Sequence, residues 1–226
     1  AASDDVWNPD FIADIQIYEC LRFMDWVATN KSDQDTWESR NKPTEAPTKR
    51  GIAYEWQIDL CNRIGADMWI ALPHMADDNY LQNLAQLVLD NLHKDAKVYV
   101  EYSNEVWNFR VQQDYSKQKG AELGFGPANE FETAMKYQAF RSTQMWKIFM
   151  DAFGDESDRI VKILSGQSSY SGVARIQFKA LDQLATNPLG MYPDAYAIAP
   201  YFGGKSLDGN ASNIFELLEK DIFTEQ

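Results

Sequence analysis

The sequence KVYVEYSNEVWN, residues 97–108, predicts a buried β-strand that ends in polar and charged side chains. Its first half alternates valine with tyrosine, which is typical of a strand that packs on at least one face. Continued alternation would place Glu101, Ser103 and Glu105 on one face and Asn104 on the other. Carboxylates in so apolar a strand need partners, because burying them unpaired is costly. The pattern therefore favours a chemical or ion-pairing role for the end of this strand.

The composition is that of an ordinary globular chain with an acidic balance. The chain has 226 residues, of which 45% are hydrophobic, and a formal net charge of -13 at pH 7. This length is enough to bury the core of one large α/β domain. The acidity argues against nucleic acid and anionic membranes as partners, because both attract clustered Lys and Arg. No apolar run approaches the roughly 18 residues of a membrane span, so no membrane association is expected.

Short apolar segments alternate with longer amphipathic ones along the whole chain. Besides the strand from Lys97, the predicted strands are residues 21–26, 66–73, 159–164 and 195–201. The predicted helices are residues 9–18, 52–64, 80–93, 131–153, 173–185 and 214–223. Residues 27–50 are predicted to form a long polar loop. Five strands, each followed by a helix, predict parallel βα units.

Two α/β folds contain such units, the (β/α)8 TIM barrel and the doubly wound open sheet. The doubly wound sheet usually carries a glycine-rich phosphate-binding turn, and no predicted strand end has that motif. Long loops after strands and short turns after helices are instead typical of a TIM barrel with its active site at the C-terminal face. We therefore expect residues 1–226 to form a single catalytic-type barrel segment of about five βα units, lacking the first and last strands. Its exposed strand edges predict association with the missing barrel segments or a neighbouring chain.

Polar and aromatic residues follow each predicted strand and would converge at one end of a barrel. The run Glu101-Tyr102-Ser103-Asn104-Glu105 resembles the E-x-x-N-E motif on the fourth strand of clan A glycoside hydrolases, most nearly the cellulase-like family 5. Arg22 falls on the expected second strand, where that family has an arginine near the nucleophile. Tyr201 falls on the expected sixth strand, where the family has a tyrosine that faces the cleft.

The resemblance implies a secreted hydrolase that cleaves a polysaccharide or oligosaccharide with retention, using two carboxylates and no cofactor or metal. Glu105 would be the general acid/base, and Asn104 would bind the sugar 2-hydroxyl. Trp107 offers a flat face to a sugar ring. His74, after the third strand, would be a further sugar contact or a hydrogen-bonded strand cap. The nucleophile would lie on a seventh strand beyond Gln226.

Structural roles are predicted for other residues with suggestive chemistry. Glu101 is expected to be the counter-charge of Arg22 rather than a catalyst, because an interior arginine needs a partner. Trp69 is expected to pack in the core. Cys20 and Cys61 are either free thiols or one disulfide, with free thiols favoured. No spacing of Cys and His matches a metal site.

Two other functions fit the same barrel. One is a catalytically inactive carbohydrate-binding barrel, which would lack a carboxylate at the end of the seventh strand. The other is a lyase, which would need a base with a basic neutraliser, although the strand ends hold few Lys or Arg beyond Arg22. For the hydrolase, the expected location is extracellular or periplasmic.

Overall fold

A computed structural model describes residues 6–46, 49–108 and 111–199 as an α/β fold. Its strands form one parallel sheet: β1 (Cys20–Arg22), β2 (Asp67–Leu72), β3 (Val98–Tyr102), β4 (Ile160–Ser165) and β5 (Ala195–Ala197). The described residues also form helices α1 (Pro9–Ile15), α2 (Tyr54–Ile64), α3 (Asp78–Asn91), α4 (Val111–Glu122), α5 (Phe131–Phe153) and α6 (Gly172–Leu181). The prediction of parallel βα units is confirmed.

The strand order decides between the two α/β folds that the sequence suggests. Each strand pairs with the next strand along the chain, whereas a doubly wound sheet reverses its order. The sheet is curled into half of a barrel. A flat sheet would separate β1 from β5 by four strand spacings, about 19 Å, yet Arg22 of β1 and Ala197 of β5 line the same cavity. A partial barrel is therefore present, and closure with further strands stays a prediction.

The hydrophobic core lies between the outer face of the sheet and the helices. Met68, Ile70, Val98 and Val100 alternate along β2 and β3 and are fully buried on this face. Each such side chain contributes about 1.5–3 kcal/mol of hydrophobic stabilisation. Trp146 of α5 closes the layer, and its indole N–H donates to the Val100 carbonyl at 3.0 Å. The residues that alternate with this set face the concave side of the sheet, where the cavity lies.

Five of the predicted helices match α1, α2, α3, α5 and α6, with ends that differ by at most four residues. The start of α3 is capped, because the Asp77 carboxylate accepts from the Tyr80 backbone N–H at 2.6 Å. Asp78 does not cap α3 but pairs with Arg141 at 2.7 Å. β1 is shorter than predicted, because Asp25–Val27 turns into a short 3-10 helix.

Helix α4 was not predicted from the sequence. Its buried residues are polar or small, namely Gln112, Gln113, Ser116 and Gly120. The helix therefore lacks the apolar stripe by which an amphipathic helix is recognised. It packs tightly on α5, because a Cβ at Gly120 would lie 2.7 Å from the Thr133 carbonyl oxygen.

The predicted loop between β1 and α2 is confirmed, and it is tied to the sheet. Thr29 donates its hydroxyl to the Ala71 carbonyl at 2.9 Å, and Gln34 donates to the Val27 carbonyl at 2.9 Å. The Thr29 bond joins the loop to β2, and the Gln34 bond links two parts of the loop to each other. The segment around Asn30 therefore lies beside the carboxyl ends of the strands. The predicted helix 214–223 lies outside the described residues.

Cys20 and Cys61 are free thiols, as favoured above. Burial raises the pKa of Cys20 to about 11 and that of Cys61 to about 12, so both stay protonated and weakly reactive. Among the described helices, none combines the length and the apolar character needed to cross a membrane.

Candidate functional site

A cavity of about 420 Å³ lies at the carboxyl-terminal side of the sheet. All five strands contribute to its wall, through Arg22, Trp69, Glu101, Ser165 and Ala197. This is the position of ligand sites in barrels built from parallel strands. The curled sheet thus brings together groups that lie up to 175 positions apart in the sequence.

The turn after β3 brings three further side chains, Asn104, Glu105 and Trp107, to the same cavity. The strand ends at Tyr102, and Ser103 adopts a left-handed backbone with φ of 55°. The predicted alternation was therefore wrong beyond Tyr102. Asn104 does not point away from Glu101, because both accept hydrogen bonds from Arg22.

Arg22 and Glu101 form the charged centre of the cavity wall. Glu101 Oε2 accepts from Arg22 Nε at 3.1 Å, from Arg22 Nη2 at 2.9 Å and from the Trp69 indole N–H at 2.7 Å. Burial raises the pKa of Glu101 above its ordinary range, and the Arg22 charge opposes that rise. The predicted pairing of Glu101 with Arg22 is confirmed.

Trp69 is a site residue that sequence reasoning assigned to the core. Besides its bond to Glu101, its ring stacks on Tyr99 at 5.4 Å and lies 5.5 Å from the Arg22 guanidinium carbon. The available signal was the alternation within β2, which puts Trp69 on the face opposite to Met68 and Ile70. The same alternation puts Glu101 on this face of the sheet. Glu101 could therefore have been proposed as the acceptor for the indole N–H of Trp69.

A hydrogen-bond network orients Asn104, which is almost fully buried. Its amide oxygen accepts from Arg22 Nη2 at 3.1 Å, and its amide nitrogen donates to Asn30 Oδ1 at 3.2 Å. Gln112 of α4 donates to Asn30 Oδ1 and to the Asn104 carbonyl, each at 2.8 Å. The long loop after β1 and the unpredicted helix α4 therefore hold this amide in one orientation.

Glu105 lies in a tight turn and is partly exposed. Its backbone is left-handed, with φ of 44°, and its carbonyl accepts from the Asn108 N–H at 2.8 Å. The Asn108 amide also donates to Glu105 Oε2 at 3.1 Å. Left-handed backbone at non-glycine residues is unfavourable and is concentrated at functional sites. Trp107, two residues on, is partly buried against the core and walls the cavity.

The structure places His74 in the interior, not in the cavity wall. Its side chain is 1% exposed and contacts the Tyr115 ring at 5.1 Å. Neither ring nitrogen has a hydrogen-bond partner among the described residues, so the predicted hydrogen-bonded cap is not formed there. Burial lowers the pKa of His74 to about 4, which keeps the ring neutral at pH 7.

The structure thus assembles four of the predicted site residues, Arg22, Asn104, Glu105 and Trp107, in one cavity. Tyr201 lies outside the described residues. Within residues 6–46, 49–108 and 111–199, no group of three or more His, Cys, Asp or Glu side chains is placed to hold a metal ion. Comparisons with protein-family models, with curated proteins and with solved structures gave no match.

Proposed function

We propose that this chain is the catalytic-type segment of a retaining glycoside hydrolase with a (β/α)8 barrel, acting on a polysaccharide with Glu105 as general acid/base. The observation that carries the proposal is the joint presence of Glu105, Asn104 and the Arg22–Glu101 pair in a cavity at the carboxyl ends of consecutive parallel strands. This arrangement agrees with the motif resemblance in residue type and in strand position.

Glu105 suits the role of proton donor to the leaving oxygen of a glycosidic bond. The acid must reach the substrate, and Glu105 is a partly exposed residue of the cavity wall. It must also be held in place, and the Asn108 amide donates to one of its oxygens. Positioned general acids accelerate such reactions by about 10²–10⁴-fold.

Asn104 suits the binding of a sugar hydroxyl beside the reacting bond. A side-chain amide has two N–H donors, and Asn104 directs one to Asn30. In the proposal, the other N–H is directed to a ligand in the cavity, whose wall includes Asn104. A contact from it to the 2-hydroxyl would strengthen as positive charge develops on the ring in the transition state.

A retaining reaction needs a second carboxylate about 5–5.5 Å from the first. Glu101 is a poor nucleophile, because three N–H donors converge on its Oε2 and Arg22 balances its charge. Its role in the proposal is to position Arg22. The resemblance assigns the nucleophile to the end of a seventh strand of the barrel.

The cavity wall favours a neutral saccharide over an anionic ligand. Arg22 is the sole cationic side chain among the described lining residues, and Glu101 neutralises it. Trp69 and Trp107 contribute flat aromatic faces, on which sugar rings pack well.

The experiment is turnover of a polysaccharide panel by the full-length protein carrying Glu105→Gln. We expect kcat/KM to fall about 10³-fold, while an aryl glycoside whose leaving group needs no proton loses much less in its first step. Glu122→Gln, which removes an exposed carboxylate paired with Lys119, is the matched control.

Two results would count against the hydrolase. Unchanged turnover of the best polysaccharide by Glu105→Gln would remove Glu105 from the reaction. Saccharide binding without any turnover by the unsubstituted protein would instead support the inactive carbohydrate-binding barrel.

A further inference from the structure

A buried hydrogen-bond network joins the helix layer to the cavity wall. We call its four side chains the relay: Tyr196 of β5, Gln177 of α6, Gln138 of α5 and Ser165 of β4. Gln138 and Gln177 are fully buried, and Ser165 is 2% exposed. Burying so many polar groups is costly unless each finds a partner, so their bonding pattern deserves a full account.

The Ser165 carbonyl oxygen sets the orientation of both glutamine amides. It accepts from Gln138 Nε2 at 3.1 Å and from Gln177 Nε2 at 3.0 Å. A carbonyl oxygen can only accept, so both amide nitrogens must face it. The Gln138 amide oxygen then accepts from Gln177 at 2.8 Å, and the Gln177 amide oxygen accepts from the Tyr196 hydroxyl at 2.7 Å.

The bonds of the relay therefore run in one direction. Tyr196 donates to Gln177, and Gln177 donates to Gln138. Gln138 in turn donates to Ser165 Oγ at 3.3 Å. Burial raises the pKa of Tyr196 to about 12, so its hydroxyl keeps the proton that it donates. A Cβ atom at Gly166 would overlap this hydroxyl, so the glycine leaves the space that the first donor occupies.

The relay ends at Glu101. Ser165 lies two residues beyond Ile163, which pairs with Glu101 in the sheet, so Ser165 and Glu101 share a face, and both line the cavity. Because Ser165 Oγ accepts from Gln138, its own O–H is free to donate. Burial raises the pKa of Glu101, and the hydrogen bond from Ser165 opposes that rise. Bonds that run in one direction polarise each other, which strengthens the last donor.

We propose that the relay keeps the Glu101 carboxylate ionised, and that Ser165 is thereby a positioning residue for Arg22. Arg22 is the charged side chain in contact with Glu101, and its Nη2 also donates to Asn104. A protonated Glu101 would leave Arg22 without its counter-charge and would loosen one anchor of the Asn104 amide.

The other groups around Glu101 do not replace the relay. Trp69 donates to Glu101 from β2 but is neutral at every pH, and Glu105 lies in the same cavity wall with the same sign of charge. The effect of the relay on turnover rests on the proposed function, whereas its effect on the charge of Glu101 does not.

The first test is titration of the Glu101 carboxyl group, followed by ¹³C NMR of the full-length protein. We expect Ser165→Ala to raise the titration midpoint by about one pH unit, because it removes a hydrogen bond to the charged form. Ser165→Thr keeps the hydroxyl and should keep the midpoint. Tyr196→Phe removes the first donor and should raise the midpoint by about 0.3 pH unit. Ser142→Ala, at a buried serine of α5, is the matched control and should change nothing.

The second test is the pH profile of kcat/KM on the best polysaccharide. Between the two titration midpoints, Glu101 is ionised in the unsubstituted protein and protonated in Ser165→Ala. Turnover by the variant should therefore be about tenfold lower in this window and should recover at higher pH. A purely structural effect of the substitution would lower turnover at every pH.

Two results would overturn the relay: an unchanged midpoint in Ser165→Ala, or an equal rise in Ser142→Ala. If Ser165→Ala does not fold, Tyr196→Phe decides, since an unchanged midpoint in that variant also contradicts the relay. A raised midpoint in a protein that cleaves no saccharide would reject the hydrolase and leave the relay standing.

Discussion

Arg22 and Glu101 join the first and third strands of the sheet across the intervening strand, with Nη2 and Oε2 2.9 Å apart. The guanidinium reaches over Trp69, which itself donates to the same carboxylate oxygen. The Glu101 side chain is 2% exposed and that of Arg22 is 36% exposed. The carboxylate therefore depends on these donors for its solvation, whereas the arginine retains contact with water.

Arg22→Met should lower the free energy of unfolding by about 3 kcal/mol at pH 7, because it leaves the Glu101 charge buried without its counter-charge. The pKa of Glu101, already raised by burial, would rise further. A glutamate whose folded pKa is raised costs stability as pH rises from its ordinary value, 4.5, to the raised folded value, so the deficit should shrink as pH falls through this window and be smallest near pH 4.5. Urea unfolding from pH 4 to pH 8 measures both effects.

Arg63→Met provides the control for this prediction. Arg63 is exposed to nearly the same degree as Arg22 and pairs with Asp59 at 2.8 Å, but Asp59 is 40% exposed. Loss of a solvent-exposed pair changes stability by less than about 1 kcal/mol. Equal losses in the free energy of unfolding from Arg22→Met and Arg63→Met would show that the burial of Glu101 does not increase the contribution of its ion pair to stability.

The pairing of Arg22 with Glu101 could be predicted from the sequence, because few charged residues lie on the predicted strands. The consecutive parallel strands were predictable for a similar reason, since their apolar runs are separated by helices of clear amphipathic pattern. These features depend on hydrophobic periodicity and on the balance of charges, which are both visible in short stretches of sequence.

Features that depend on tertiary packing could not be predicted in this way. Helix α4 buries amides and a hydroxyl rather than an apolar stripe, so its pattern resembles that of a surface segment. The orientation of Asn104 depends on the left-handed backbone of Ser103, which no sequence pattern indicates. His74 follows a strand, as a cleft residue would, but aromatic packing holds it in the interior.

Ser103→Gly should raise the free energy of unfolding by about 1 kcal/mol. Ser103 is left-handed, with φ of 55°, and glycine adopts this conformation without the Cβ clash. The Ser103 hydroxyl is buried and has no hydrogen-bond partner in the part of the chain that the structure describes, so its loss removes no bond. Chemical denaturation of both proteins gives the difference.

Ser142→Gly tests whether the backbone is the cause. Ser142 is also buried and its hydroxyl likewise has no partner among the described residues, but it lies within α5. Glycine in a helix is about 0.5 kcal/mol less favourable than serine, so this variant should be less stable. Stabilisation by both substitutions would point to the removal of the hydroxyl instead.

Gln112→Met should reduce kcat on the best oligosaccharide by about tenfold or more. The substitution removes the two hydrogen bonds that Gln112 donates, to Asn30 and to the Asn104 carbonyl, and small misplacements of positioning groups have large effects on rate. Gln57→Met, at an equally buried glutamine of α2, is the control for a general loss of stability. If both variants lose the same activity, α4 has no special role in orienting Asn104.

His74→Phe should remove part of the pH dependence of stability between pH 6.5 and pH 4. Because burial lowers the folded pKa of His74 from 6.5 to about 4, the unfolded chain binds more protons than the folded chain in this window. Stability is therefore lost as pH falls, by about 3 kcal/mol at 1.4 kcal/mol per pH unit. Phenylalanine can keep the packing against Tyr115 without a titrating group.

The measurement is the free energy of unfolding at several pH values, with His93→Phe, at the only other histidine of the chain, as the control. If the free energy of unfolding depends on pH in the same way in the unsubstituted protein and in both variants, His74 can be protonated in the folded protein.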